Sequence, residues 1–112
     1  MRKDLLDVVV SYLGERALVI VRGQIDRDSV STLRAVLDDL DLNTDALIDM
    51  ADVHFINSTG LMMLVAQAMR MAERNGGLHI KNASPAVRDA VDMSDFGALL
   101  YGREDACESA VS

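Results

Sequence analysis

Asn57-Ser58-Thr59-Gly60 is the segment whose residue types and spacing suit regulated chemistry. It leaves a strand and enters a helix within a few residues. Ser58 falls where an N-cap residue belongs, with its hydroxyl beside backbone N–H groups that lack an intrahelical partner. Two roles fit that position. In one, the hydroxyl only caps the helix. In the other, it accepts a phosphoryl group, which adds roughly −1.5 to −2 charges. The dipole and free N–H groups of a helix N-terminus tolerate that charge. The fold would accept the modification, whereas a partner docked on the same spot would not. Thr59, inside the first turn, is the fallback acceptor. Gly60 permits close approach to the backbone of that turn, which also suits helix–sheet packing.

Other chemistry has little support. There is no Gly-rich phosphate loop and no Gly-x-Ser-x-Gly elbow. His54 and His79 lack metal-ligand spacing, and Cys107 has no nearby ligand partner. The expectation is therefore no catalytic residue, no metal and no cofactor. His79 alternates with Leu78 and Ile80 and reads as a surface or half-buried residue. His54 reads as a structural loop residue, close enough in sequence to tune Ser58. Cys107 reads as a small packing residue. Met63 and Met71 suit packing. Met62 and Met69 lie off the buried stripe of their helix, where an adaptable thioether suits a protein contact or fills a gap under a loop.

The elements that position Ser58 follow from periodicity. Asp7 to Leu13 and Ala17 to Arg22 read as strands joined by Gly14-Glu15, an antiparallel hairpin. Gly23-Gln24-Ile25-Asp26 leaves the second strand. Val30, Leu33, Val36, Leu37 and Leu40 mark a helix, with Asp28 or Ser29 as its cap. Asp38, Asp39 and Asp41 sit near its end, where the dipole disfavours them; they read as a solvated face. Ala46 to Met50 is a third strand, followed by Ala51-Asp52-Val53-His54-Phe55-Ile56. A helix from about Thr59 to Arg74 buries Leu61, Leu64, Val65, Ala68 and Ala72, and Asn75-Gly76-Gly77 ends it. Leu78 to Lys81 is a fourth strand. Ser84-Pro85 opens a third helix, with Ser as cap and Pro at the first helical position. Leu99-Leu100-Tyr101 reads as a short fifth strand and Arg103 to Val111 as a terminal helix. The order is ββαβαβαβα, an α/β fold with a mixed sheet.

Composition bounds the role. With 112 residues, 50% of them hydrophobic, residues 1–112 are expected to form one ordered domain. Only 4% are aromatic, so aliphatic residues and the 7 Met must fill the core. The net charge of −7 argues against nucleic acid and anionic membrane and favours a basic protein surface as partner. A single cysteine suits a reducing compartment. Asp4 and Asp7 interrupt the N-terminal apolar run, so it does not read as an export signal. The longest apolar stretch falls far short of the ~20 residues that span a bilayer. A cytoplasmic protein without linker, repeat or low-complexity segment is expected.

At four places the chain resembles the STAS domain family of anti-sigma-factor antagonists and sulfate-transporter cytoplasmic domains. Gly23-Gln24-Ile25-Asp26 resembles the family's Gly-Glu-Ile/Leu-Asp. Asn57-Ser58-Thr59-Gly60-Leu61, preceded by Phe55-Ile56, resembles its Asp-Ser-Ser/Thr-Gly-Leu switch. Ser84-Pro85-Ala86-Val87 and Asp92-Met93-Ser94 are similar to the small sporulation-type antagonists. The four segments are in order and suitably spaced, and the resemblance runs from the first strand to the terminal helix. It implies a single STAS-like α/β domain with a mixed sheet of four to five strands.

The resemblance also implies a partner switch. The unphosphorylated antagonist binds an anti-sigma factor that is also a serine kinase, and so frees a sigma factor. The kinase phosphorylates the antagonist serine, here Ser58, and the complex falls apart; a separate serine phosphatase resets it. The implied docking surface is Gly23, Gln24, Ile25 and Asp26 with Asn57, Ser58, Thr59, Gly60 and, beside them, Met62. Homodimers form in some relatives. Two residues depart from the family pattern: Asn57 replaces the acid before the serine, and Gln24 replaces the Glu. Both remove a negative charge and keep hydrogen-bonding capacity. The alternative role is a STAS accessory subunit docking on the ATPase of a membrane transporter, without a phosphorylation cycle.

Overall fold

Val-rich alternation builds a two-stranded hairpin before the first helix, and two later strands complete a four-stranded sheet. The computed structural model describes residues 6–40, 44–74 and 76–101. The elements run β1 (Leu6–Leu13), β2 (Arg16–Ile25), α1 (Val30–Asp38), β3 (Asp45–Ile56), α2 (Ser58–Ala72), β4 (Gly77–Lys81) and α3 (Pro85–Met93). The sheet order is β1-β2-β3-β4. β1 and β2 form the expected antiparallel hairpin, while β2, β3 and β4 pair in parallel.

One face of this sheet is the core. Ala17, Val19 and Val21 of β2, Ala46, Ile48 and Met50 of β3, and Leu78 and Ile80 of β4 are sealed there. Leu33 and Leu37 of α1, Leu64, Val65 and Met71 of α2, and Val87 and Val91 of α3 pack into the same cluster. α3 begins as expected: the Ser84 hydroxyl accepts the Val87 N–H at 3.2 Å, and Pro85 follows it. The same hydroxyl donates to the Val53 carbonyl, which ties α3 to β3.

β3 is longer than its sequence pattern predicts. Ile20 pairs with Asp49 but Arg22 with Asp52; Gly23 pairs with Val53 but Gln24 with Phe55. Each shift gives β3 one extra residue, a β-bulge. The buried positions accordingly step from Met50 to Val53 and then to Ile56. Strict alternation stops at Met50, so periodicity ends the strand there while the hydrogen-bonded ladder continues to the edge of the Asn57 segment. β2 likewise continues through Gly23 and Gln24 to Ile25 rather than ending at Arg22. Gly23 sits at the second shift with φ +112°, a conformation that favours glycine.

Three expectations are corrected. Residues 97–101 are helical, so Leu99-Leu100-Tyr101 is not a fifth strand. The Leu100 N–H donates to the Phe96 carbonyl at 3.0 Å and the Leu100 side chain enters the core; a three-residue apolar run carries no period to separate strand from helix. On α2, Ala72 is exposed, and Gln67 and Met71 occupy the buried stripe. Asp38 is not a merely solvated acid. Its Oδ1 accepts the Gln67 Nε2–H at 2.5 Å and lies 3.5 Å from Arg70 Nη1, joining α1 to α2, with Arg34 on the other oxygen at 3.9 Å. Asp41, Asn75, Cys107 and the Arg103–Val111 helix lie outside the described residues. No helix among the described residues is long and apolar enough to cross a membrane.

Candidate functional site

β3 and α2 meet at Asn57. Its backbone is extended (φ −94°, ψ 175°), and its side-chain Oδ1 accepts the Gly60 N–H at 2.8 Å. Asn57 is therefore the N-cap, and Ser58 is the first residue of the helix. This corrects the expectation that Ser58 is the cap. Asn, Ser and Thr all suit the role, and only the extended backbone of Asn57 decides among three consecutive candidates. The Ser58 hydroxyl is thus not the acceptor that closes the helix end. Ser58 and Thr59 are both exposed on the first turn.

The Gly23-to-Asp26 segment lies against this turn. The Asn57 N–H donates to the Ile25 carbonyl at 3.0 Å, extending the parallel β2–β3 ladder by one bond. Ile25 is fully buried, and Gly60 stacks onto it. These two residues belong to the site by position, not by exposure; they set where Asn57 and Ser58 stand. Gln24 is half-buried and its Cα partner is Phe55.

Asp26 and Ser29 fix the loop that follows. Asp26 Oδ1 accepts the N–H groups of Asp28 and Ser29 at 3.0 and 3.1 Å. The Ser29 hydroxyl donates to the Gln24 carbonyl at 2.6 Å and accepts the Asp26 N–H at 3.0 Å. Ser29 precedes α1 but makes no capping bond with its side chain, contrary to expectation. Its hydroxyl is committed to Gln24 and Asp26, which holds the loop in one shape. Asp26, half-buried, serves chiefly as an internal acceptor. Arg27 and Asp28 carry the exposed charges of this loop.

Two apolar side chains stand free beside the turn. Met62 is 49% exposed, one helical turn after Ser58 and on the same face. Phe55 is 47% exposed. Sequence reasoning missed Phe55, although the alternation that buries Ala46, Ile48 and Met50 already turns it outward and the two bulges of β3 cancel in parity. A detectable signal was its rarity, since the chain has 2 Phe. Met69 is equally exposed two turns beyond Met62, while Met71 is buried and Met63 half-buried against the core. An open groove of about 780 Å³ runs past Gly23, Val53 and His54 to the start of α3, but Asn57, Ser58 and Thr59 do not line it. His54 is exposed at that groove, and His79 is half-buried on β4. Among the described residues no group of acids, His or Cys is placed to hold a metal ion.

An exposed hydroxyl on a rigid helix N-terminus, flanked by two free apolar side chains and a braced loop, is suited to docking and to a charge-based switch. Comparison with known proteins bears on which docking that is. The family model described as "Mlab, STAS domain" matches residues 8–101. Among solved structures, the anti-sigma factor antagonist SpoIIAA in its unphosphorylated form is similar at TM-score 0.72 and 16% identity, covering 94% of this chain and 96% of that one. An anti-sigma factor antagonist from Mycobacterium paratuberculosis is similar at TM-score 0.68 and 26% identity, with 95% and 93% covered. The Bacillus cell fate determinant SpoIIAA in its phosphorylated form is similar at TM-score 0.67 and 17% identity, with 95% and 100% covered. Curated protein sequences gave no significant match.

Proposed function

The chain belongs to the STAS domain family, and from that premise we propose that it is an anti-sigma-factor antagonist switched at Ser58. The unphosphorylated chain binds an anti-sigma factor with serine kinase activity and so releases a sigma factor in the cytoplasm. Its docking surface is Gly23, Gln24 and Asp26 with Asn57, Ser58, Thr59 and Met62, and the buried Ile25 and Gly60 set where that surface stands. The kinase then transfers the γ-phosphoryl group of ATP. The bond from that phosphorus to the bridging oxygen of ADP breaks, a bond to Ser58 Oγ forms, and the hydroxyl proton passes to a base of the kinase. A serine phosphatase restores the hydroxyl. This chain is a binding partner and a substrate, with no catalysis of its own.

The observation that carries this reading is the exposure of Ser58 at the first helical position, with the cap already made by Asn57. A phosphoryl group there meets the positive end of the helix dipole and unpaired N–H groups, so the fold accepts it. The same group at a desolvated contact faces like charge or lost hydration, and the complex weakens. The net charge of −7 suits a basic partner surface. The test is incubation with candidate anti-sigma kinases and ATP, followed by intact and peptide mass spectrometry. One added phosphoryl group on the peptide holding Ser58, with loss of the complex, is expected. An unmodified chain that co-purifies stably with a transporter ATPase would replace this reading with the accessory-subunit role.

A further inference from the structure

Of the large apolar side chains exposed among the described residues, only Phe55 and Met62 fall within four positions of Ser58. Phe55 stands three residues before it at 47% exposure, and Met62 four residues after it at 49%. Three residues of chain span at most about 11 Å, and side chains at i and i+4 of a helix are about 6 Å apart. An aromatic ring and a thioether thus stand on either side of Ser58 in the chain, both within reach of one contact. Single exposed apolar residues are ordinary on a protein surface, so the support and the charge around these two decide what they do.

The backbone under Phe55 is fixed from both strands. Its register partner is Gln24, whose carbonyl accepts the Ser29 hydroxyl at 2.6 Å. Two residues on, the Asn57 N–H donates to the Ile25 carbonyl at 3.0 Å. A ring with two rotatable torsions on so firm a support loses little freedom on docking. Met62 is the complement, an adaptable side chain that fills what the ring leaves open. Charge supplies a second, independent sign. The chain carries −7, yet no charged residue occurs from Phe55 to Met69. In the braced loop, Asp26 is turned to its own backbone, and the exposed Arg27 and Asp28 follow it. A charge-free apolar centre with charges kept to the rim is the anatomy of a contact that excludes water.

We infer that Phe55 is the anchor of the Ser58 docking surface: its ring fills an apolar socket on the anti-sigma kinase and, with Met62, keeps water from the Ser58 hydroxyl in the complex. This rests on the antagonist reading and adds the residue that makes its switch effective. A phosphoryl group ends binding where docking strips its hydration. Phe55 supplies that dryness, and the phosphoryl group is the first charge on the 55–69 run.

The test uses the full chain and the kinase that modifies Ser58, with affinities read by calorimetric titration. Phe55→Thr keeps a strand-forming residue and removes the ring. It should bind at least tenfold more weakly, with far-UV circular dichroism unchanged; Phe55→Gln carries the test if that variant does not fold. Tyr12→Ala removes another exposed aromatic, near the opposite end of β2, and should leave affinity within twofold. The fold-loss caused by Ser58→Asp should shrink at least threefold in the Phe55→Thr background, because water then reaches the charge. A merely structural role for Phe55 would lower affinity and leave that ratio unchanged. Wild-type affinity in Phe55→Thr, an unchanged ratio, or an equal loss in Tyr12→Ala overturns the inference and leaves the antagonist reading standing. A chain that no anti-sigma kinase binds or modifies overturns both.

Discussion

A Cβ at position 60 would stand 2.5 Å from Cγ2 of the buried Ile25, and 3.3 Å from Asn57 Oδ1 and Ile56 Cγ1. Gly60 thus lets the first turn of α2 rest directly on the end of β2. Two segments 32 residues apart in sequence, the ladder end at Ile25 and the capped turn at Asn57, are joined by that contact and by the bond from the Asn57 N–H to the Ile25 carbonyl. Ile25 cannot swing aside: it is β-branched, stiff at χ1 and packed on all sides.

Gly60→Ala therefore sets two magnitudes against each other. Alanine gains about 1 kcal/mol of helix propensity over glycine. Forcing a methyl into a packed contact costs about 1–3 kcal/mol. The steric term wins, and a net loss of about 1 kcal/mol lowers the melting temperature by about 4–8 °C in a domain of this size. Thermal denaturation checks the sign; a variant as stable as wild type would show that the turn can lift away from Ile25 without cost. Any lift also displaces Ser58, so partner affinity should fall more than stability alone explains.

The bond network between α1 and α2 yields a second prediction. Gln67 is 4% exposed, and its Nε2–H is held by Asp38. Asp38→Ala leaves that amide without its charged acceptor in a buried place, at a cost of about 1–3 kcal/mol. Gln67→Leu removes the need for the acceptor and should cost less than Asp38→Ala. The double variant Asp38→Ala, Gln67→Leu should be more stable than Asp38→Ala alone, as read by urea denaturation. Simple additivity of the two single changes would show that Asp38 and Gln67 do not act as a pair.

These residues also mark how far sequence can be read. The hairpin, the parallel strands and the three helices follow from alternation and three-to-four spacing, and Ser84-Pro85 announces its helix by capping chemistry. What alternation cannot show is an extra residue in a ladder. The two bulges of β3 reverse the orientation only between them, which buries Val53, and the second restores the alternation so that Ile56 is buried and Phe55 faces outward. Local chemistry also cannot rank competing caps. Asn57 and Ser58 are both able, and the extended backbone of Asn57 decides between them; Ser29 stands at the start of α1 but spends its hydroxyl on Gln24 and Asp26. Gln67 reads as polar and therefore exposed until Asp38, on another helix, supplies its acceptor. The Leu99–Tyr101 run fails for a different reason, since it is too short to carry a period of either kind.

Replacement of Ser58 separates folding from docking. Ser58→Asp puts a negative charge on the first helical position, where the dipole favours it by about 0.3–1 kcal/mol. Thermal stability should hold or rise slightly. Affinity for the anti-sigma kinase should fall at least tenfold, because a charge buried at a contact is penalised by several times that free energy. Ser58→Ala should bind persistently, since it cannot be released by phosphorylation. Calorimetric titration beside a melting curve reads both effects. Undiminished binding of Ser58→Asp would remove the electrostatic gate.

Asn57 makes the capping bond of α2 without carrying a charge. Asn57→Ala loses the acceptor for the Gly60 N–H and should cost about 1 kcal/mol of stability. Asn57→Asp keeps an oxygen in that place and adds charge beside the N–H groups, so stability should be equal or higher. Binding should respond differently. With Asn57 the contact relies on hydrogen bonds; with Asp it gains attraction toward a basic partner, and that attraction is screened by salt. The affinity of Asn57→Asp should therefore exceed that of wild type at low ionic strength and fall more steeply as salt is added. Equal affinities and equal slopes across the titration would show that the side chain at position 57 acts only on the helix and not on the partner.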